Sequence, residues 1–552
     1  MHYILYFIFM LGGCSFLQAQ FTSDTLNNLA VHDIVGSEQA TPLKATTSDG
    51  KTYISWFDIS SGSYVLRMQL LDANGVAQWP AGGVVVSNYP QSTALFRYDL
   101  KVDLTDHAIV AFQDERSGEM KPVVYRIAPD GSSVWGDAGF EITDSTATGL
   151  APKIGITRSN NIIVAWNADA DATRWLSYQK ISPSGQLLWS KRIFDGNKYS
   201  RPCIAPRDTD GFIMMYVKET GNFPGVTCTM LAQAFDSNGI GQWSNPITVS
   251  TKTITFFFFP EITPDEAGGF YIGFNSGNPV NATLNDVYVQ HVDSLGNTWS
   301  ATGVEAANST TEFKSFAGLI FNESLQHIFV QLQVLDGSQS ASGISIQKLN
   351  ASDGALLFAA NALVIKSQDP EYYLPYGIAD AGDGIIGIYG LGGFGNQHLQ
   401  AYKIDYSGAS SWSYDPTLCL FNSNKDDVAV GPFKNEQCVV VWADDRNDLG
   451  IYAQNVRSDG NFGSETTGIE THDANSNIRI AYGQLQDILM LKGFKDMEVV
   501  MVEIISSDGR LVGIFDEKNS TQFQLPTYVH AGIYVIKVSS GNKHWSIKWV
   551  KR

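Results

Sequence analysis

Eight glycine turns recur along this chain at nearly equal intervals, and that recurrence limits what the chain can fold into. The turn glycines are Gly75, Gly131, Gly185, Gly239, Gly296, Gly354, Gly408 and Gly460, spaced 52 to 58 residues apart. An aromatic follows most of them: Trp79, Trp135, Trp189, Trp243, Trp299, Phe358 and Trp412. Asp459-Gly460 ends the series with no aromatic of its own. Only glycine adopts a positive φ without strain, so each marks a tight hairpin turn.

Each interval reads as four strands. The first is expected to open on proline, as at Pro42, Pro152, Pro202, Pro260 and Pro375. The second is aliphatic and ends in an aromatic, as in Ile54-Ser55-Trp56 or Val440-Val441-Trp442. The third carries a glutamine six residues before the turn glycine, at Gln69, Gln179, Gln233, Gln290 and Gln454. A short fourth strand follows, as in Val84-Val85-Val86. Almost no segment has a 3.6-residue period with helix caps. Radially repeated four-stranded units make a β-propeller, because one such sheet cannot bury both faces alone.

The expectation is therefore an all-β chain: an eight-bladed propeller over residues 20–473, followed by a small Ig-like β-sandwich over 474–552. Seven blades are the alternative, since the sixth repeat lacks both the tryptophan and the second-strand aromatic. Either Val31–Val35 or Gly468–Thr471 is expected to supply the missing fourth strand of the last blade.

The turn motif resembles the Asp-box of sialidase-like propellers. Asp72/Gly75/Trp79, Asp236/Gly239/Trp243 and Asp405/Gly408/Trp412 match it best, with one extra residue between Asp and Gly. The resemblance implies a fold and no chemistry.

Residues 1–19 read as a signal peptide cleaved after Ala19, and Leu11-Gly12-Gly13-Cys14 offers a competing lipobox. No later segment is apolar for long enough to span a bilayer as a helix. The net charge of −19 argues against nucleic acid as a partner. Cys203 and Cys228 fall two strand spacings apart, roughly 9–10 Å, beyond disulfide reach. They are expected to be free thiols, as are Cys419 and Cys438.

The last 75 or so residues carry Asp508-Gly509 with Val512, then Ala531-Gly532-Ile533-Tyr534, and end Lys548-Trp549-Val550-Lys551-Arg552. This segment resembles the type A C-terminal sorting domain of type IX secretion. Tyr482-Gly483-Gln484 departs from the usual Tyr-Pro-Asn-Pro opening. The resemblance implies an Ig-like sandwich, the type IX secretion machinery as a partner, and a secreted or surface-anchored product.

Chemistry is sparse. The nine histidines form no zinc motif, and neither a nucleophile elbow nor a phosphate loop is present. Asn167–Asp171 alternates polar and carboxylate residues as calcium loops do. However, Ala172 stands where a glycine is needed and Tyr178 where the closing Glu is needed, so a solvated hairpin is expected. Asp114-Glu115-Arg116 and Asp444-Asp445-Arg446 read as local ion pairs or as a polar rim. Arg97 and Arg201 are candidates to face the ring axis. No catalytic, cofactor or metal residue is assigned. The expected function is binding of an extracellular ligand (glycan, peptide or protein) at one propeller mouth. An exported glycan-active hydrolase or lyase is the alternative.

Overall fold

A computed structural model describes residues 20–463 except 60–61, 92–96, 143–146, 171–172 and 394. Beyond these it describes 479–483, 488–492, 500–506, 510–517, 522–524, 532–540 and 543–551. The chain divides into two compact units, 1–463 and 464–552. The boundary expected at 473/474 lies outside the described residues, as does Gly468–Thr471.

The first unit contains eight four-stranded antiparallel sheets and is an eight-bladed propeller. Blade 1 shows the pattern: Gln39–Thr46, Thr52–Asp58, Val65–Leu71 and Val84–Ser87, in that order. The first strands of neighbouring blades pack on one another and line the axis. Blade 8 takes three strands from Lys425–Val430, Gln437–Asp444 and Gly450–Arg457. Its fourth is Leu29–His32, from the other end of the chain. A shared core of Phe21, Leu29, Ile54, Trp56, Val441 and Ile451 then joins blade 8 to blade 1.

The turn glycines and aromatics explain the ring. All eight glycines have φ between 69° and 94°. Each lies on the aromatic of the preceding blade. A Cβ at Gly185 would come within 2.8 Å of Trp135, at Gly239 within 2.9 Å of Trp189, and at Gly354 within 2.7 Å of Trp299. Glycine is thus required twice, for the turn and for the contact. The indole often adds a hydrogen bond: Nε1 of Trp79, Trp135, Trp189 and Trp412 donates to Pro129, Pro183, Ser237 and Ser458 carbonyls at 2.9–3.1 Å. The third-strand glutamine holds the aromatic from behind. Gln69 accepts from Trp79 N–H and donates to the Trp79 carbonyl, and Gln233 does the same for Trp243.

The eighth repeat's missing aromatic is found at the N-terminus. Phe21 is buried, and a Cβ at Gly75 would come within 2.7 Å of its ring. Gln454 donates to the Thr22 carbonyl at 2.6 Å, matching the bond from Gln69 to Pro80 in blade 1. The N-terminal segment therefore supplies blade 8 with its aromatic as well as its fourth strand. Phe358 serves the sixth repeat, lying against Gly408, so the repeat that suggested seven blades is a full blade.

Pro42, Pro152, Pro202 and Pro375 do not open the first strands, as the sequence suggested, but sit inside them, whereas Pro260 precedes its strand, Thr263–Pro264. Thr41-Pro42, Ala151-Pro152 and Arg201-Pro202 are two-residue bulges facing the single residues Trp56, Trp166 and Tyr216. Asp427-Val428 bulges in the same way opposite Trp442. A bulge leaves a residue out of the ladder, so proline loses no hydrogen bond there. Thr41, Ala151, Arg201 and Asp427 hold φ of 52°, 50°, 54° and 49°. The residue after the second-strand aromatic secures the next blade's bulge. Gln113, Asn167 and Asn275 accept the N–H of Ala151, Arg201 and Phe316 at 3.2, 3.0 and 2.7 Å.

Among the described residues, the second unit has seven strands in two antiparallel sheets, of three and four strands. Val502, Ile504, Tyr534 and Ile536 are buried while Met501 and Val535 are exposed, so the four-stranded sheet covers one face. Among the sorting-motif residues, Tyr534 belongs to that buried face. Gly532 pairs with Lys551, and Val535 with Lys548, in the last hairpin. Asp508, Gly509 and Arg552 lie outside the described residues.

Phe21 should behave as a core aromatic of blade 8. Phe21→Ala is expected to destabilise the propeller by about 3–5 kcal/mol, as much as Trp189→Ala within a blade. Denaturant unfolding of both variants measures this.

Candidate functional site

Antiparallel order places the 1–2 and 3–4 turns on one side of the ring (the turn face). The 2–3 loops and 4–1 connections lie on the other (the loop face). Because the blades repeat, a side chain whose role recurs from blade to blade belongs to the scaffold. A side chain that departs from the repeat is a candidate for function.

The turn face is dominated by recurring parts. Asp72, Asp236 and Asp405 each accept two backbone N–H groups of their own turn at 2.8–3.0 Å. Asp293, three residues before Gly296, does the same and was missed in the sequence. The residue after the third-strand glutamine or tyrosine is often basic and reaches a first-turn carboxylate. These pairs are Arg126–Asp103 at 2.7 Å, Lys180–Asp210 at 2.5 Å, His291–Asp265 at 2.8 Å and Lys403–Asp383 at 2.8 Å. A shallow cleft of about 350 Å³ lies here, lined by His291, Trp299, Asp293, Ser352 and others. Its His291–Asp265 pair is the blade-5 copy of this recurring ion pair and so belongs to the scaffold.

The loop face carries a second belt of ion pairs at the ends of the second strands. Asp114 is fully buried and forked by Arg116 at 2.6–3.0 Å. Asp444, also fully buried, takes Arg446 at 2.7 Å, Lys425 at 3.3 Å and the Trp442 indole at 2.8 Å. Burial works to raise the Asp444 carboxyl, but Arg446, Lys425 and the indole outweigh it and hold it below its ordinary range. The two Asp-x-Arg hairpins are therefore local ion pairs. The calcium-like segment is likewise engaged: Asn167 holds the Arg201 N–H, and Asp169 is forked by Arg174 at 2.7 and 3.0 Å. Asp171 lies outside the described residues.

Departures from the repeat gather at the loop-face mouth. In blades 1 to 5 the residue six places ahead of the first turn is Thr41, Arg97, Ala151, Arg201 or Phe259. Asp427 occupies the same bulge in blade 8. These positions ring the axis. Arg97 of blade 2 lies 4.2 Å over the ring of Phe259, from blade 5. Lys153 of blade 3 reaches Glu261, just before the first strand of blade 5, at 2.6 Å. Both links skip blades and put a floor across the mouth. Asp427 feels the charge of Arg97. Burial first, then Asp426, pushes its carboxyl up, and Asp426 is raised by burial, Asp445 and Asp444.

Arg201 does not face the axis as a free cation. It is buried, pairs with Glu219 at 3.0 Å, and donates to the Phe256 and Phe258 carbonyls at 2.8 and 3.0 Å. Glu219 is also held by Arg174 at 3.0 Å. This buried network shapes the connection that displays Phe257, 72 % exposed, beside Phe223, 65 % exposed, on the neighbouring loop. Exposed aromatics on a braced loop form a preorganised contact surface. Cys203, Cys228, Cys419 and Cys438 are buried free thiols. Among the described residues no cluster of His, Cys, Asp or Glu could hold a metal.

No family model matches this chain, and neither does any curated protein. Solved structures with a similar fold include polysaccharide lyase Uly1, at 10 % identity and TM-score 0.41, over 80 % of this chain and 98 % of that one. A PL25 ulvan lyase bound to -[GlcA(1-4)Rha3S]- aligns at 11 % identity and TM-score 0.41, over 81 % and 98 %. An α-L-arabinanase of Penicillium chrysogenum with arabinobiose aligns at 12 % identity and TM-score 0.36, over 60 % and 100 %. The likeness is distant and is one of architecture.

The turn-face ion pairs set the acid response. Burial favours raising Asp103 and Asp265, but bonds from Arg126, His291 and backbone N–H groups prevail and lower both. A carboxyl lowered in the fold contributes stability above its unfolded pKa, about 3.9, and loses it as pH falls through the folded value. The propeller should therefore hold until below about pH 4. Arg126→Met should unfold at higher pH in a circular-dichroism titration, because Asp103 then keeps its burial without its main partner.

Proposed function

We propose that this protein is an exported propeller that binds an extracellular glycan across the loop-face mouth. The observation that carries the reading is the ring position that changes from blade to blade while the scaffold around it repeats. It brings Arg97, Phe259 and Asp427 from three blades to one axis, next to the exposed Phe223 and Phe257. Aromatic faces stack on the C–H faces of sugars, and guanidinium and carboxylate groups bond to hydroxyls.

The test is a glycan array with the purified protein, followed by affinity measurements on variants. Arg97→Ala and Phe259→Ala should each weaken binding about tenfold, or 1.4 kcal/mol, without moving the unfolding midpoint. Unchanged affinity in both variants would place the site elsewhere.

A second reading, cleavage of the glycan at the same mouth, is favoured by the raised Asp427 carboxyl near Arg97. A carboxyl that keeps its proton closer to neutral pH suits general acid chemistry. Release of shorter chains by the native protein, and not by Asp427→Asn, would support it.

The C-terminal unit is proposed as the export signal for type IX secretion and surface attachment. This rests on the resemblance of Ala531–Tyr534 and Lys548–Arg552 to that sorting domain. Removing residues 478–552 should leave the protein inside the cell envelope. Normal surface display of the shortened chain, followed by fractionation and blotting, would refute the assignment.

A further inference from the structure

One 3–4 turn is a residue longer than its counterparts. In blades 1, 2, 4, 5 and 7 the paired ends of this turn lie six positions apart, as in Leu71 with Ala77 and Val292 with Thr298. In blade 6 Leu349 pairs with Leu356, seven positions apart. The bond inside the turn widens to match. Gly354 N–H reaches back four residues to the Asn350 carbonyl, where Gly296 N–H reaches back three to Asp293. The extra length is held in place: Ala351 is buried, and its carbonyl accepts from the Tyr271 hydroxyl at 3.3 Å.

The longer turn breaks a recurring contact. In blades 1, 2, 3 and 7 the indole N–H donates to the carbonyl two residues before the next blade's turn glycine. For Trp299 that residue is Ser352. Trp299 still lies on Gly354, where a Cβ would come within 2.7 Å of its ring. Its Nε1, however, is buried and has no hydrogen-bond partner among the described residues. Trp243 also lacks this bond, but there the Ser294 carbonyl accepts from Arg207 at 3.3 Å and the turn keeps its six positions. Between blades 5 and 6 the separated partners, Trp299 and Ser352, instead line the cleft of about 350 Å³, together with His291, Asp293 and Asp353.

That volume lies within the range of small-ligand clefts, roughly 300–1,000 Å³. One wall is fixed: the His291 ring stacks on Tyr271 at 4.5 Å, and its Nε2 is tied to Asp265 at 2.8 Å. A buried N–H without a partner costs free energy that a ligand oxygen would recover. The remaining groups decide which ligand. Asp353 engages Oδ1 with the Ala355 N–H and keeps Oδ2 open among the described residues. An anion would meet the carboxylates of Asp293 and Asp353, and an ammonium group would leave the indole N–H unanswered. A hydroxyl answers both, accepting from the N–H and donating to a carboxylate. The flat rings of His291 and Trp299 suit the C–H face of a sugar. We propose that this cleft is a second carbohydrate site, taking one neutral pyranose, with Trp299 and Asp353 as its polar ligands. It is an exception on a face otherwise given to scaffold, and it does not depend on the glycan reading of the loop-face mouth.

The experiment uses the whole protein with its tryptophan indoles labelled with nitrogen-15, and three probes: glucose, galactose and mannose. Trp299→Phe identifies the Trp299 N–H resonance. Phenylalanine already fills this place in the next blade, where Phe358 lies on Gly408, so the variant should fold. At least one sugar should shift that resonance saturably. A resonance unmoved by all three, or drifting without saturation, would overturn the proposal. So would a saturable shift that Arg97→Ala abolishes, since the sugar would then sit at the mouth.

Asp353→Ala, at an exposed position, should raise the half-saturating sugar concentration about tenfold. Removing Ser352 restores the six-position turn. The shortened chain should return the Trp299 N–H to a turn carbonyl, seen as slower exchange with solvent, and should lose the sugar response. Native-like responses in both variants would overturn the assignment to this cleft.

Discussion

A glycine on a neighbour's aromatic ring is the contact on which this propeller depends. Each blade supplies one of each, so every blade is both receptor and ligand, and the series can end only by closing. The chain closes it by returning Phe21 to blade 8, beneath Gly75 of blade 1. Without that ring the last blade would leave an apolar face open. The N-terminal segment therefore does two jobs at once, as the outer strand and as the eighth aromatic.

That contact also explains what was legible in the sequence. The glycine–tryptophan spacing is local, so eight blades and their turns could be read directly. The partners of the repeat could not. Phe21 and Gly75 are brought together by closure, and the bond from Gln454 to Thr22 joins residues 432 positions apart. The prolines signalled first strands correctly, but the bulge that admits them appears only when the second-strand aromatic is seen opposite two residues. Arg126, Lys180, His291 and Lys403 form one class only in register, because their carboxylates come from another strand or from the next blade.

The candidate site was less legible for the same reason. Arg97 was singled out, but Phe259 and Asp427 were not, since blades 2, 5 and 8 meet only across the axis. Arg201 drew attention by its charge and proved to be an internal brace. Its guanidinium is spent on Glu219 and two carbonyls, and the exposed phenylalanines that it positions are the more informative residues. In a repeat protein, charge in one blade says little until it is compared with the same place in the others.

The two faces of the ring differ in freedom. On the turn face, each 3–4 turn is pressed on a neighbour's aromatic and four first turns are tied to basic side chains, so a change in length at a 3–4 turn disturbs two blades together. On the loop face, Asp114, Glu219 and Asp444 are buried in ion pairs, while Phe223 and Phe257 stand exposed to solvent. Variation there alters a contact surface without loosening the ring. Recognition is therefore expected on the loop face, where the blade-4 loops have grown outward and carry their aromatics into solvent.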